Sequence, residues 1–252
     1  MNKKIFLVSF TFYICISFIL FYQHKTKINK KVITVGVHAE YQPFTWKEKN
    51  SIVGLDIDII HEIGMRLDKK IKIIDMAFNM LIPKTQNGQI DIIASGITPT
   101  KDRAQQVFFT KPYIEDDPLL IITTKKNRVT TPEQLQGKKV VVNEGYRSDF
   151  WVSQQPHITI IRVNTITLAF LTLINEHVDA FVSSSLSVAP FFIQHGKNKF
   201  NTAIIEDISD SYALAVSKKK PKLYQKIEKT LEQMKTDGTL KKLKQKYCNF
   251  AK

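Results

Sequence analysis

Short runs of aliphatic and β-branched residues alternate with amphipathic stretches from Val32 onward. The first series comprises strand-like or helix-like segments at 32–37, 55–67, 71–74, 80–85 and 90–94. A second series after Pro118 repeats the pattern at 119–123, 140–142, 158–163, 168–174, 178–182 and 186–193. Strands alternating with helical crossovers are typical of an α/β sheet. The alternation therefore predicts two α/β lobes.

Two polar segments are predicted to connect these lobes. Residues 112–118 contain two prolines and three consecutive acids between the two series. After a strand at 212–216, a helix with one apolar face ends near Gly238 and a last short helix follows. One strand and two helices are too few for a separate domain, so they should return to the first lobe. Lobe 1 is thus predicted as 32–113 with 212–252, lobe 2 as 114–211, and the hinge segments as 113–118 and 206–211.

Residues 1–31 have the features of an export segment. Two lysines within 1–4 precede an uncharged, mostly apolar stretch at 5–22. Small residues of a cleavage site are missing before the polar run 23–31, so the segment is either a signal peptide or an uncleaved membrane anchor through residues 5–22. Beyond this segment only Cys248 remains, which excludes an intrachain disulfide.

The formal charge of +14 does not indicate nucleic-acid binding once it is located along the chain. Residues 1–31 carry +6 and residues 218–252 carry +9, which leaves −1 for the central body. The basic C-terminal stretch is interpreted as a solvated helical face. No nucleic-acid partner is expected.

The run DIIASGITPTKDR at 91–103 is the most informative for function. A buried strand ends at Ser95 and Gly96, passes Thr98, and enters a helical turn that contains Arg103. A guanidinium offers a planar fork of donors that suits a carboxylate, and Thr98 and the nearby amides can hold its oxygens from other sides. Arg103 is the predicted anchor of a carboxylate ligand.

Further segments join this run in a fixed order: YQPFTW at 41–46, GLDID at 54–58, FNMLIP at 78–83 and PY at 112–113. With them the sequence resembles the polar amino-acid-binding family of periplasmic solute-binding proteins, over nearly all of the chain after Lys31. The resemblance implies an α/β, two-lobed periplasmic binding protein type II fold, in which each lobe is a mixed sheet with helices on both faces. It also implies that the lobes close on an amino acid or related small carboxylate. It also implies delivery to an ABC permease, a periplasmic location and a monomer, with no cofactor and no metal.

Carried over by position, the resemblance assigns the ligand carboxylate to Arg103, Thr98 and the backbone at Gly96. Tyr41 and Phe78 would sandwich the ligand side chain. The remaining candidate ligand-binding residues are Ser95, His38, Arg147, Tyr146, Asn143 and Ser184.

Two positions depart from the family pattern. Ser184 stands where an acid commonly holds the ligand ammonium, and His38 stands where an acid is often found. Arg147, in a loop that feeds a helix, would add positive charge. These changes favour an acidic amino acid or an organic acid, unless Glu40, Glu144 or Asp149 supplies a counter-charge. Otherwise Ser184 alone would hold an ammonium.

Two other functions compete with binding and transport. Exported cyclohexadienyl dehydratases are similar in fold, and Glu144 or Asp149 would then be the general acid or base. No catalytic dyad and no metal-ligand spacing is visible among the six histidines, so an enzyme is the less favoured alternative. A sensory module is not expected, because it would need an output domain and the sequence ends at Lys252.

Overall fold

A computed structural model describes residues 32–248. The strands of this part are β1 (Val32–Val37), β2 (Glu40–Tyr41), β3 (Thr45–Glu48), β4 (Ser51–Val53), β5 (Lys70–Asp75), β6 (Ile92–Ile97), β7 (Val107–Phe109), β8 (Ile114–Thr124), β9 (Lys139–Asn143), β10 (Thr159–Val163), β11 (Ala180–Ser184) and β12 (Phe200–Ser217). Its α-helices are α1 (Leu55–Arg66), α2 (Leu81–Gln86), α3 (Lys101–Ala104), α4 (Arg147–Val152), α5 (Ile166–Ile174), α6 (Ser185–His195), α7 (Pro221–Thr236) and α8 (Thr239–Cys248). Short 3-10 turns lie at Phe78–Met80, Pro132–Leu135 and Lys197–Lys199.

In the main sheet the strands follow one another in the order β10-β9-β11-β8-β12-β6-β1-β5, and β7 pairs with β12, whereas β2, β3 and β4 form a small antiparallel sheet of their own. β1 pairs in parallel with β5 and β6, and β9 pairs in parallel with β10 and β11. β8 and β12 run antiparallel to their neighbours. Each end of this order is therefore a mixed α/β sheet, as the family resemblance implies.

β8 and β12 form the ribbon that connects the two sheets. Their pairing runs from Phe200 opposite Thr124 to Tyr212 opposite Ile114, with register shifts between Ile204 and Ser209 and again beyond Asp210. The second half of β12 then pairs with β6 and β7. The segment predicted as a strand at 212–216 is thus the end of a strand of 18 residues.

Helix α1 shows how the apolar periodicity builds the first lobe. Leu55, Ile59, Ile60 and Ile63 share one face and are all completely buried. This face packs on β5 and β6, and α8 packs beside α1. Burying each of these side chains contributes about 1.5–3 kcal/mol relative to exposure. The C-terminal helices accordingly belong with the first sheet.

The prediction of an α/β fold is confirmed. No helix within 32–248 is long and apolar enough to span a bilayer. The predicted signal or anchor, including the apolar stretch 5–22, lies outside the described residues.

Candidate functional site

Gly96, near the end of β6, packs against the rings of Tyr41 and Phe44. Its φ is +55°, and a Cβ built there would lie 2.6 Å from Tyr41 Cε1 and 2.8 Å from the ring of Phe44. Only glycine fits this conformation and this distance. Its amide donates to Asp56 Oδ2 at 2.8 Å, so it contacts a protein carboxylate in this structure. The predicted contact of this amide with a ligand would require Asp56 to release it.

Arg103 on α3 is buried between the lobes. Nη1 donates to the carbonyl of Thr98 at 3.1 Å, and Nη2 donates to the carbonyl of Gly145 in the other lobe at 2.5 Å. The guanidinium carbon lies 5.4 Å and 5.7 Å from the ring centroids of Phe78 and Phe150. Burial lowers the pKa of this guanidinium. Within 32–248, no carboxylate forms an ion pair with Arg103, so the group retains donors for an anion.

Aromatic rings from both lobes meet beside Arg103. Tyr146 has its ring centroid 4.9 Å from that of Tyr41 and 5.1 Å from that of Phe78. Tyr41 also contacts Phe44, and Phe44 contacts Tyr212. Tyr146 therefore touches both rings to which the sequence assigned the ligand side chain. A ligand between Tyr41 and Phe78 would have to move Tyr146 or share its space.

Thr98 and Asp210 connect the end of β6 to the ribbon. The Thr98 hydroxyl donates to Asp210 Oδ1 at 2.8 Å, and both residues are buried. The amide of Ser211 donates to the same oxygen at 2.8 Å. Burial raises the pKa of Asp210 to about 6. The hydrogen bonds from Thr98 and Ser211 lower this pKa, and so do the positive charges of Arg147 and Arg103, but burial has the larger effect. The sequence analysis did not identify this carboxylate.

A chain of hydroxyl groups leads from the ribbon across the lobes. Tyr212 Oη lies 2.8 Å from Asp117 Oδ2 and 2.7 Å from Ser184 Oγ. Ser184 Oγ lies 2.5 Å from Ser187 Oγ, which lies 2.8 Å from Tyr41 Oη. Ser184 thus has two hydroxyl partners, and Tyr41 forms a hydrogen bond between the lobes.

Three predicted site residues have buried polar atoms without a hydrogen-bond partner among the described residues. They are His38 at Nδ1, Asn143 at Oδ1 and Tyr146 at its hydroxyl. The amide of His38 donates to Ser95 Oγ at 2.9 Å, which gives Ser95 a structural contact. Burial lowers the pKa of His38, so the neutral imidazole is favoured.

A cavity of about 60 Å³ lies beside His38 and is lined by His38, Ala77, Phe78, Asn79, Glu144 and Asn164. Of the three acids considered as counter-charges, Glu144 lines this cavity. Asp149 instead pairs with Arg162 at 2.9 Å and accepts the amide of Gly145. A larger groove of about 390 Å³ includes Trp46 and Tyr247, and none of the predicted site residues lines it.

Asp117, Asp210 and Ser187 are the polar residues of this region that the sequence analysis missed. Asp210 lies directly opposite Asp117 in the ribbon. Both acids lie in segments predicted as hinge crossings, so no local sequence signal identifies them as site residues, and their pairing is a tertiary interaction. Burial raises the pKa of Asp117 to about 7. In the part of the chain that the structure describes, no cluster of three or more His, Cys, Asp or Glu could hold a metal ion.

Known proteins share this architecture. The family model of bacterial extracellular solute-binding proteins, family 3, matches residues 33–250. A probable histidine-binding protein of Campylobacter jejuni is 29% identical over 216 residues, or 85% of this chain and 84% of the relative. An ancestral arginine-binding protein bound to arginine is 32% identical with a TM-score of 0.81, over 86% of this chain and 98% of that chain. An ancestral amino-acid-binding protein, a precursor of cyclohexadienyl dehydratase, is 29% identical with a TM-score of 0.77, over 86% and 95%.

Two α/β lobes joined by a paired ribbon, with a buried arginine between them, define a two-lobed solute-binding protein. The chain belongs to family 3 of the bacterial extracellular solute-binding proteins. The resemblance stated from the sequence and its two-lobed type II fold are thereby confirmed.

Proposed function

We propose that this protein binds an amino acid between its lobes and delivers it to an ABC permease. The observation that carries the proposal is Arg103, a buried guanidinium between the lobes that forms no ion pair with a described carboxylate. A buried charge is costly without a partner, and a ligand carboxylate can supply one. Relatives named as histidine-binding and arginine-binding proteins support an amino acid.

Contacts between the lobes offer a means for ligand binding to be signalled. Arg103 donates to the carbonyl of Gly145, and Tyr41 bonds to Ser187, so both candidate ligand contacts belong to the closed arrangement. A ligand that engages Arg103 and Tyr41 would favour closure, because it binds the closed state better than the open one. The permease would recognise that closed state.

The finer assignments belong to this proposal. Lobe 1 is taken as 32–113 with 212–252, lobe 2 as 114–211, and the hinge as 113–118 and 206–211. The protein would act as a monomer in the periplasm, free or held at the inner membrane through residues 5–22. The carboxylate contact would come from Arg103, because the Thr98 hydroxyl donates its proton to Asp210, and the side-chain end of the ligand would face His38 and Glu144.

We expect no dehydratase activity. Asp149, one of the two acids nominated for catalysis, pairs with Arg162. Glu144 is exposed and lines the small cavity without a second acid beside it. The check is incubation of the purified protein with prephenate, and formation of phenylpyruvate at an enzymatic rate would overturn this expectation.

The proposed function is tested by calorimetric titration with the standard amino acids and common dicarboxylates. Arg103→Ala should weaken binding of the true ligand by roughly 30-fold to 1000-fold, because it leaves a buried carboxylate unpaired. Arg128→Ala is the matched control, since Arg128 is an exposed arginine of the second lobe and should leave affinity unchanged. Equal affinity of both variants would contradict the role of Arg103.

A further inference from the structure

The charge of the cleft is more balanced than the arginines alone suggest. Arg103 and Arg147, one from each lobe, both lower the pKa of the Asp210 carboxyl through their positive charge. The charge of Asp210 in turn raises the pKa of the Tyr41 and Tyr146 hydroxyls. One carboxylate is therefore held among the groups that face each other between the lobes.

The two oxygens of Asp210 have different surroundings. Both of its hydrogen bonds, from Thr98 Oγ1 and from the amide of Ser211, go to Oδ1. No donor within 32–248 bonds to Oδ2. Because the Thr98 hydroxyl uses its one proton in the hydrogen bond to Asp210, the lone pairs of Thr98 Oγ1 remain available to accept a hydrogen bond. The pair thus has acceptors that no donor among the described residues uses.

Ser184 is poorly suited to the role that its position has in the family. Its hydroxyl lies within hydrogen-bond distance of both Tyr212 and Ser187 and is buried. A neutral hydroxyl also supplies no charge to compensate an ammonium taken out of water. An amino acid in this cleft needs its counter-charge from elsewhere.

We propose that Asp210 holds the ammonium group of the ligand and replaces the acid missing at Ser184, so that the ligand is a zwitterionic α-amino acid and not an organic acid. This inference rests on the proposed function, since it concerns the same cleft. It makes Asp210 a specificity-determining residue on the ribbon.

The protonation of Asp210 gives a second readout. Burial raises the pKa of this carboxyl to about 6, so it is charged at neutral pH and loses its charge below that value. The titratable groups that interact electrostatically with this carboxyl are Arg103, Arg147, Tyr41, Tyr146, Tyr212 and Asp117. Affinity for an amino acid should therefore fall as the pH drops below about 6, whereas affinity for an analogue without the amine should not fall for this reason.

The test compares the tightest-binding standard amino acid with its 2-hydroxy acid, in which a hydroxyl replaces the amine. Wild type should prefer the amino acid by at least about 30-fold, the scale for a buried charge pair. Asp210→Asn should abolish this preference and change 2-hydroxy acid affinity by less than about threefold, since a neutral partner neither attracts nor repels the hydroxyl strongly. Asp207→Asn, an exposed acid of the same strand, should behave as wild type.

Each other outcome has one meaning. If wild type binds amino acids and Asp210→Asn keeps the preference, the role of Asp210 is wrong and the proposed function stands. If only Asp117→Asn removes the preference, the ammonium is held by Asp117. If wild type binds neither compound, both proposals fail. Should Asp210→Asn not fold, the pH dependence of wild-type affinity for the two compounds decides, and parallel profiles overturn the inference.

Discussion

Replacing Gly96 with alanine tests the packing that brings Tyr41 to the cleft. The substitution adds a Cβ at φ +55°, a left-handed conformation that costs an L side chain about 1–2 kcal/mol. The same Cβ would meet Tyr41 Cε1 at 2.6 Å and Phe44 at 2.8 Å. Both rings are buried, so neither can move away freely, and overpacking of this kind costs about 1–3 kcal/mol. Gly96→Ala should therefore lower the free energy of unfolding by about 2–5 kcal/mol.

Gly137→Ala separates the two contributions. Gly137 has φ +75°, but a Cβ there would have no atom within 4 Å, so only the conformational cost of about 1–2 kcal/mol applies. Urea unfolding followed by tryptophan fluorescence gives both values, and equal m-values make them comparable. If Gly96→Ala is no more destabilising than Gly137→Ala, the rings do not pack on Gly96 as described.

Two further predictions concern the hydroxyl chain and the buried acids. Tyr41→Phe removes the hydrogen bond to Ser187 between the lobes and should weaken ligand affinity by about fivefold, which corresponds to one hydrogen bond of about 1 kcal/mol. Unchanged affinity in calorimetry would contradict a role of this hydrogen bond in closure. The pKa of Asp117 is raised to about 7 from its ordinary 3.8, so the folded state holds a proton that the unfolded state releases between these values. Its contribution therefore makes the free energy of unfolding rise as the pH falls from 8 to 5, by at most about 1.4 kcal/mol per pH unit. Asp117→Asn should reduce the measured slope by this contribution in urea titrations, while the raised pKa of Asp210 leaves a remaining slope of the same sign; an undiminished slope would contradict the prediction for Asp117.

The spacing of apolar residues predicted most of the helices and strands, because the residues that share a face of an element are the ones that become buried. The four-residue spacing of Leu55, Ile59 and Ile63 indicated a one-faced helix, and these side chains are completely buried. The first half of β12 was not predicted as a strand, since residues 206–211 are rich in Asp and Ser, which disfavour strands. Its conformation comes from pairing with β8, a tertiary interaction that local sequence does not encode.

The site was predictable where function lies in one segment and unpredictable where it depends on pairing. Thr98 and Arg103 follow one buried strand, and their position at the cleft follows from that order. Asp210 meets Thr98 although it lies 112 positions later in the sequence, because the ribbon carries it there. Tyr146 was a candidate, but its contact with both Tyr41 and Phe78 depends on how the lobes meet.

β12 is a central strand of both lobes, because its first half pairs with β8 and its second half with β6. It is also the last strand in the described part of the chain, so neither sheet can be completed until residue 217 has been synthesised. Pairing between such distant positions is slow, since chain entropy is lost before the contacts form. We therefore expect either lobe to fold only after most of its own residues have been synthesised, which a chain whose sheets close in sequence order would not require.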